Sequence, residues 1–361
     1  MKPAADEAER FARLRLARAD RVGPVAFSQL MQRYGTAREA LEALPDLARR
    51  GGGGHVRPGE DIISAELEAG EAAGARLLLL GDPDYPPQLA ALDPPPPLLW
   101  ARGDAALLSR DSLAIVGARI ASAGGQRIAR GLAAGLGQAG FIVTSGMARG
   151  IDGAAHEGAL PTGTVAVLGG GVDDIYPAEH ATLYERLIDQ GCVVSESPMG
   201  ARAQARDFPR RNRIIAGLAK GVIVVEAELR SGSLITARLA GEQGRDVFAV
   251  PGSPLDPRSK GPNELLRQGA ILCEGVEDVL NALGGLRTLF EPEVPAWEPG
   301  AVDANMDLIE RLAALLSPVL APRDELARAA GASIGEANGA LLELSLAGRA
   351  VLLPGGLVAA P

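Results

Sequence analysis

Short apolar runs alternate with helical segments between residues 112 and 250, and this alternation restricts the possible folds more than any other feature of the sequence. The runs are rich in β-branched residues, which is typical of strands buried on both faces. We predict six strands, at Ser112–Gly117, Phe141–Ser145, Thr164–Leu168, Cys192–Glu196, Val222–Val225 and Asp246–Val250. The intervening segments have helical spacing, at Gln126–Gln138, Gly153–Ala159, Ala181–Gln190 and Asn212–Ala219. This pattern predicts an α/β fold with a doubly wound, mainly parallel sheet and a site at the carboxyl ends of its strands.

The stretch from Arg206 to Thr236 joins a basic cluster, a buried strand and a hydroxyl-rich turn. Residues 201–213 hold five arginines and one acidic residue. The turn Ser231-Gly232-Ser233 opens a new helix that includes Thr236, and amides at a helix start bind anions readily. Two interpretations remain open from these residues alone. Either the stretch recognises phosphate, or Ser231 is only a helix cap and the arginines form a solvated face.

Other glycine-rich loops follow the predicted strands, at Gly117–Ser122, Ser145–Gly150, Gly169–Gly171 and Pro251–Ser253. Glycine lets backbone amides approach a phosphate closely, and Arg119 and Arg149 lie where positive charge would be useful. The dinucleotide fingerprint is absent because Arg119 occupies the position of its second glycine, and no Gly-x4-Gly-Lys loop exists. We therefore expect a phosphate-bearing ligand but no nucleotide cofactor and no ATP hydrolysis.

Composition excludes several classes of protein. The formal net charge of −9 argues against a protein that coats nucleic acid with its whole surface, although it allows a local basic groove. The two cysteines, Cys192 and Cys273, are too few for a disulfide framework, which indicates a reducing cytoplasm. No apolar run approaches the length of a membrane span, and the first residues lack the apolar core of a signal peptide.

The sequence offers little support for catalysis or metal binding. Asp152 and His156 lie four residues apart and could share a helix face, but no third metal ligand has a suitable spacing. We interpret them as a helix cap and a helix-face histidine. Ser231 and Ser233 have no histidine partner that the sequence identifies, so a serine nucleophile is unsupported. We expect no catalytic residues and no metal site.

Both ends of the chain read as separate domains. Residues 5–74 have helical spacing, and their turn Arg21–Pro24 is similar to the hairpin of helix-hairpin-helix modules, although an ordinary Gly-Pro turn explains it as well. A proline-rich passage over residues 81–99 is expected to be an extended connector without helix. Beyond a proline- and glutamate-rich linker at 291–302, three helices and a hairpin predict a winged helix. Its recognition helix, at 333–348, contains no Arg or Lys, which favours a protein-interaction or weakly docking module.

Several motifs together resemble those of the DNA-processing protein A family, also called DprA or Smf. They extend over nearly the whole chain: VGAR at 116–119, TSGMARGIDGAAHEGAL at 144–160, VLGGGVDDIYPAEH at 167–180, FPRRNRIIAGL at 208–218, SGSLITA at 231–237, VFAVPGS at 247–253 and GPNELLRQGA at 261–270. The resemblance implies a helical SAM-like or helix-hairpin-helix-like domain at 1–75, a Rossmann-like domain at 76–290, the linker at 291–302 and a winged-helix domain at 303–361.

The resemblance also implies a non-enzymatic function. Members of the family bind single-stranded DNA through a basic pocket on the Rossmann-like domain, form homodimers through that domain, protect incoming DNA and load RecA recombinase during natural transformation. The residues expected to bind DNA are Gly117, Arg119, Ser122, Arg149, Arg210, Arg211, Asn212, Arg213, Ser231, Gly232, Ser233 and Thr236. Relatives often carry a basic residue in the turn after Tyr176-Pro177, where this chain has Ala178-Glu179.

The alternative from another class is an enzyme. Rossmann-like nucleotide phosphoribohydrolases have glycine-rich loops around a similar sheet. Their PGGxGTxxE signature is absent here, and Gly169-Gly170-Gly171-Val172 is the nearest match. A third possibility, a structural adaptor that acts through the winged helix, leaves the central arginines unexplained.

Overall fold

The computed structural model describes residues 1, 3–4, 6–50, 57–284, 308–317, 320–353 and 356–360. The chain divides into two compact units, Met1–Arg287 and Thr288–Pro361. The predicted linker at 291–302 lies outside the described residues. The finer division of the first unit at residue 75 stays a prediction.

Four helices begin the first unit: α1 (Glu7–Ala17), α2 (Pro24–Tyr34), α3 (Ala37–Arg50) and α4 (Glu60–Ala72). Asp6 caps α1 because its carboxylate accepts the Glu9 amide at 2.7 Å. Glu66 of α4 connects these four helices to the α/β domain that follows. Its carboxylate accepts hydrogen bonds from Arg18, at 2.7 Å, and from the indole of the buried Trp100, at 2.8 Å.

The rest of the first unit is an α/β domain. Its strands are β1 (Ala75–Leu79), β2 (Leu98–Gly103), β3 (Ser112–Val116), β4 (Ile142–Ser145), β5 (Thr164–Val167), β6 (Cys192–Ser195), β7 (Gly221–Val224), β8 (Asp246–Ala249) and β9 (Ile271–Leu272). Its helices are α5 (Pro87–Ala90), α6 (Ala123–Gln138), α7 (Ile151–Ala159), α8 (Ala181–Gln190), α9 (Asp207–Leu218), α10 (Gly232–Glu242), α11 (Lys260–Arg267) and α12 (Val276–Gly284).

These nine described strands form one sheet in the order β1-β2-β6-β5-β4-β3-β7-β8-β9. Seven neighbouring strands run parallel, in the order β6-β5-β4-β3-β7-β8-β9. At one edge β2 pairs antiparallel with β6, and β1 pairs antiparallel with β2. After β6 the chain crosses back to place β7 on the other side of β3. The order therefore reverses between β3 and β7, and loops diverge there to leave a crevice.

Helices cover both faces of this sheet, which explains its uninterrupted apolar strands. On one face α9 packs Ile214 and Ile215 near Val222 and Val224 of β7. On the other face α6 and α7 surround Ile223. Successive residues of β7 thus point to opposite, equally buried faces, so polar alternation is absent. The predicted doubly wound, mainly parallel sheet is confirmed.

Two expectations about local structure are wrong. The proline-rich passage contains the short helix α5, which begins at Pro87, because proline at the first helical position gives up no hydrogen bond. The same passage ends in β2, whose apolar residues Leu98–Trp100 are buried between β1 and β6. Helix α9 also begins at Asp207, five residues before the predicted start, since Pro209 lies in its first turn.

The second unit has the predicted winged-helix arrangement. It contains α13 (Leu308–Leu315), β10 (Ala321–Pro322), α14 (Arg323–Ala329), α15 (Ile334–Leu346), β11 (Val351–Leu353) and β12 (Leu357–Ala359). Ser333 and Glu336 form a capping box at the start of α15, each accepting the other's backbone amide. Leu312, Leu341 and Val358 are fully buried and join the helices to the hairpin. Throughout the described ranges, the helices are too short or too polar to cross a bilayer.

Candidate nucleic-acid interface

A cleft of about 700 Å³ lies where the strand order reverses, at the carboxyl ends of β3 and β7. One wall is the loop Gly117–Ile120 that follows β3, and the opposite wall is the start of α10. Helix α9 forms a third side. Eight of the twelve residues expected to bind DNA line this cleft: Gly117, Arg119, Arg211, Asn212, Ser231, Gly232, Ser233 and Thr236.

Two aromatic rings and an arginine lie together in the cleft. The Arg119 guanidinium lies 5.0 Å from the centroid of the Phe208 ring, and the Tyr176 ring lies 5.5 Å from the same centroid. Arg119 is exposed, and Tyr176 is 49% exposed. Aromatic residues make up only 3% of the chain, so two adjacent rings in one cleft, with Tyr176 exposed and Phe208 half-buried, are uncommon here. Such a surface can stack an unpaired base and attract its phosphate.

Arg211 supplies a buried positive charge beneath these rings. Its Nη1 donates to the Val167 carbonyl at 2.8 Å, and it lies over Gly146 with no room for a side chain there. Burial lowers the pKa of Arg211 to about 10. The nearby charge of Arg119 also lowers this pKa, whereas Asp152 raises it. The guanidinium therefore remains charged at neutral pH and contributes a fixed cation to the cleft.

Asp152 faces this cation from the first turn of α7. Its carboxylate accepts the Gly146 and Ala148 amides at 3.2 and 3.4 Å. Burial raises the pKa of Asp152, and the charge of Arg211 and the two amides act against this rise. The predicted helix cap is wrong, because α7 begins after Gly150 without a side-chain cap and Asp152, inside the helix, binds amides of the preceding loop.

The start of α10 forms the opposite wall. Ser231 caps the helix, since its hydroxyl accepts the Ser233 amide at 3.4 Å and lies 2.7 Å from the Ser233 hydroxyl. The Asn212 side chain donates to the Gly232 carbonyl at 3.3 Å and so fixes α9 against this turn. A side chain at Gly232 would meet no atom within 4 Å, so there is open space beside the amino end of α10 and its partial positive charge.

Four residues expected to bind DNA lie outside the cleft. The Ser122 hydroxyl donates to Glu226 at 2.5 Å, and Arg149 pairs with Glu179 at 2.5 Å. Arg213 binds both carboxylate oxygens of Glu196 at 2.6 Å, while Arg210 is exposed on the same side of α9. Consecutive helical residues point about 100° apart, so Arg210 to Arg213 cannot all face one site.

Sequence reasoning missed Phe208 and Tyr176, although helical spacing could have located the first. Three residues that follow Phe208 by three, four and seven positions also line the cleft: Arg211, Asn212 and Ile215. This spacing is that of one helix face. The prediction that α9 starts at Asn212 hid this pattern. Arg230 and Arg258, from the loops after β7 and β8, also reach the cleft.

His156 belongs to the core of the domain. It is fully buried, and its Nδ1 lies 2.7 Å from the Thr164 hydroxyl, which itself donates to the Val143 carbonyl. Burial lowers the pKa of His156 to about 3, so the ring is neutral at physiological pH. Within the described part of the chain, no three His, Cys, Asp or Glu residues are grouped as metal ligands.

Comparison with known proteins identifies the family. Residues 76–284 match the family described as DNA recombination-mediator protein A. The chain is 46% identical to Protein Smf of Escherichia coli (strain K12) over 279 residues, which are 76% of this chain and 74% of that protein. The chain belongs to the DNA recombination-mediator protein A family. Residues 7–69 match the DprA-like N-terminal HHH domain, and residues 298–356 match the DprA winged helix domain.

Solved structures of this family share the architecture. The X-ray structure of DNA processing protein A from Streptococcus pneumoniae superposes with a TM-score of 0.63 at 33% identity, covering 78% of this chain and 98% of that one. The Helicobacter pylori protein, whose structure gives insight into a unique single-stranded DNA binding mode, superposes with a TM-score of 0.53 at 31% identity. That match covers 58% of this chain and 95% of the other. Membership in the family does not favour the phosphoribohydrolase alternative.

Proposed function

We propose that this protein binds single-stranded DNA in the cleft between β3 and β7. The observation that carries the proposal is the arrangement of the Arg119 guanidinium and the Tyr176 ring around Phe208. Every base has a π-face, so an exposed ring in a basic cleft binds single strands without sequence preference. The description of the Helicobacter pylori relative as a single-stranded DNA binder supports the same function.

The residues of the cleft divide between base and backbone. Phe208 and Tyr176 offer flat apolar surfaces against which an unstacked base would lie. Arg119 offers donors and positive charge to the phosphates on either side, and the amino end of α10 adds its partial positive charge. Among the described residues of the lining, four arginines, including Arg230 and Arg258, outnumber two acidic residues, so the cleft is positive although the chain as a whole is negative.

The wider proposal follows the family resemblance. We infer that the protein acts in the cytoplasm as a homodimer, protects incoming single-stranded DNA and loads RecA recombinase onto it, without enzymatic activity. Support comes from the family match and from relatives named as DNA processing proteins. Sedimentation, nuclease protection and RecA filament assembly on the bound strand are the assays for the three parts of this proposal.

The protein should bind single-stranded DNA at least about tenfold more tightly than a duplex of the same sequence, because bases stacked inside a duplex cannot reach Phe208. The measurement is a titration of labelled oligonucleotides at several salt concentrations. Each phosphate contact should contribute about 0.7 to the salt slope of single-strand binding. Equal affinities at moderate salt would contradict a stacking cleft and leave only diffuse charge attraction.

Replacing Phe208 by leucine should weaken binding of a short oligothymidine by about 1–3 kcal/mol, about 5- to 150-fold, because the base loses its stacking surface. Phe208→Tyr is the matched control, since it keeps the ring and should bind within about threefold of the unchanged protein. Fluorescence anisotropy measures both. If the leucine and tyrosine variants bind alike, the ring is not a stacking surface.

A further inference from the structure

A second groove, of about 510 Å³, lies beside the cleft in the same unit of the chain. One side of the groove is the turn between α1 and α2, from Ala19 to Gly23. Its other side is formed by the loop after β6 and the beginning of α9. The loop after β5, at Leu168 and Gly169, also lines it. The proposed function makes no use of this groove.

Exposed arginines surround the groove from both sides. Arg21 lies on the helical turn, while Arg202, Arg206 and Arg210 lie on the α/β domain. The side chains of Arg21, Arg206 and Arg210 are 78%, 80% and 60% exposed. Arg202 is exposed as well. Arg21 and Arg206 are more than 180 residues apart in the sequence, so it is the fold that brings them together.

The acidic groups of the groove offset only part of this charge. Glu196 is bound by Arg213 through both carboxylate oxygens at 2.6 Å. Asp207 accepts the Gln204 amide at 2.9 Å, and its other oxygen is 4.0 Å from Arg206. Asp20 lies 3.6 Å from Arg21 in an exposed pair, which is screened by solvent. The groove therefore has a positive excess in a chain whose net charge is −9.

The groove is continuous with the cleft through α9. Arg211 lines both, and its neighbour Arg210 lines the groove. A strand that leaves Phe208 across this helix would next meet the groove arginines. Gly23, which precedes α2, lines the far side, and no side chain caps that helix start. Arg21 adopts a left-handed backbone with φ of 62°, which is uncommon for a residue other than glycine.

We propose that this groove is a second single-stranded DNA site, which holds the sugar-phosphate backbone of the strand as it leaves the cleft. The inference rests on the proposed function of the cleft. Among the described residues that line the groove there is no aromatic side chain, so it holds phosphates rather than stacking bases. Guanidinium groups suit this role because they bind phosphate oxygens in pairs. The helical domain thus becomes part of the binding surface.

The test compares oligothymidines of about 5 and about 15 nucleotides, the first filling only the cleft and the second also reaching the groove. The variant is Arg202→Gln with Arg206→Gln in the full chain. Its matched control is Arg127→Gln with Arg186→Gln, two exposed arginines on α6 and α8 that line neither site. Both double variants remove two charges, and thermal melts establish that both fold.

The groove variant should bind the long oligothymidine about 2- to 30-fold more weakly. Its salt slope for that ligand should fall by about 1.4, for two lost phosphate contacts. It should bind the short oligothymidine as the unchanged protein does. The control variant should leave the affinity and salt slope for both ligands unchanged.

Two results would overturn the groove site. One is an unchanged salt slope for the long ligand, and the other is an equal loss of duplex affinity, which would make the groove a duplex site. Neither would affect the cleft, provided that Arg119→Ala still weakens binding of the short ligand. If Arg119→Ala leaves the short ligand unaffected, the proposed function itself has failed and the groove inference falls with it.

Discussion

Arg119→Ala should weaken binding of single-stranded DNA by about 10- to 100-fold. Arg119 follows the buried strand β3 in a loop that faces α9, and its guanidinium lies over Phe208 at 5.0 Å. A hydrogen bond to a charged group in such a preorganised position contributes about 1.5–3 kcal/mol. An exposed arginine outside the cleft contributes only a screened, long-range attraction.

Two companion variants make this prediction specific. Arg127→Ala removes the same charge from an exposed position on α6 that does not line the cleft, and it should change affinity little. Arg119→Lys keeps the charge but loses the planar group that stacks on Phe208, so its affinity should lie between those of the alanine variant and the unchanged protein. Dissociation constants for one oligothymidine across a salt series test all three. Equal, small losses for Arg119→Ala and Arg127→Ala would mean that the cleft after β3 does not bind the strand.

The parallel sheet and its helices could be predicted from the sequence because each element carries its own signal. The run Val222–Val225 is apolar at every position, and a strand between two helical layers requires that pattern. Strand β2 also has consecutive apolar residues, Leu98–Trp100, but they follow directly on a proline-rich passage, which makes an extended connector the simpler prediction. The sequence does not show that these residues pair with β6, far along the chain.

The composition of the cleft could be predicted less completely than the fold, and the reason lies in α9. Sequence identifies a basic cluster but not which arginine faces which way, since that depends on where the helix begins. The start at Asp207 places Phe208 and Arg211 on the cleft side and Arg213 on the side of Glu196. Ser122 shows a second limit. Its contact with Glu226 exists because β3 and β7 are neighbours, which the order of the chain does not reveal.

Gly146→Ala should lower the free energy of unfolding of the first unit by about 2–5 kcal/mol, although it adds a single methyl group. Gly146 follows β4 directly beneath Arg211, and a Cβ at this position would overlap the Arg211 guanidinium. Arg211 is buried and cannot withdraw into solvent. It would have to leave the Val167 carbonyl, which costs a buried charged hydrogen bond in addition to the strain of overpacking.

Gly131→Ala is the matched control, because Gly131 lies at an exposed position inside α6 where a Cβ meets no atom within 4 Å. Alanine is a better helix former than glycine, so this variant should be about 0.5–1 kcal/mol more stable than the unchanged protein. Urea unfolding can be followed by the buried Trp100 in a Trp297→Phe background, since the chain has two tryptophans. The two alanine variants should thus shift stability in opposite directions. If Gly146→Ala is as stable as the unchanged protein or more stable, Arg211 is not held against Gly146. If the Gly146→Ala variant binds single-stranded DNA with unchanged affinity, the fixed charge of Arg211 does not contribute to binding.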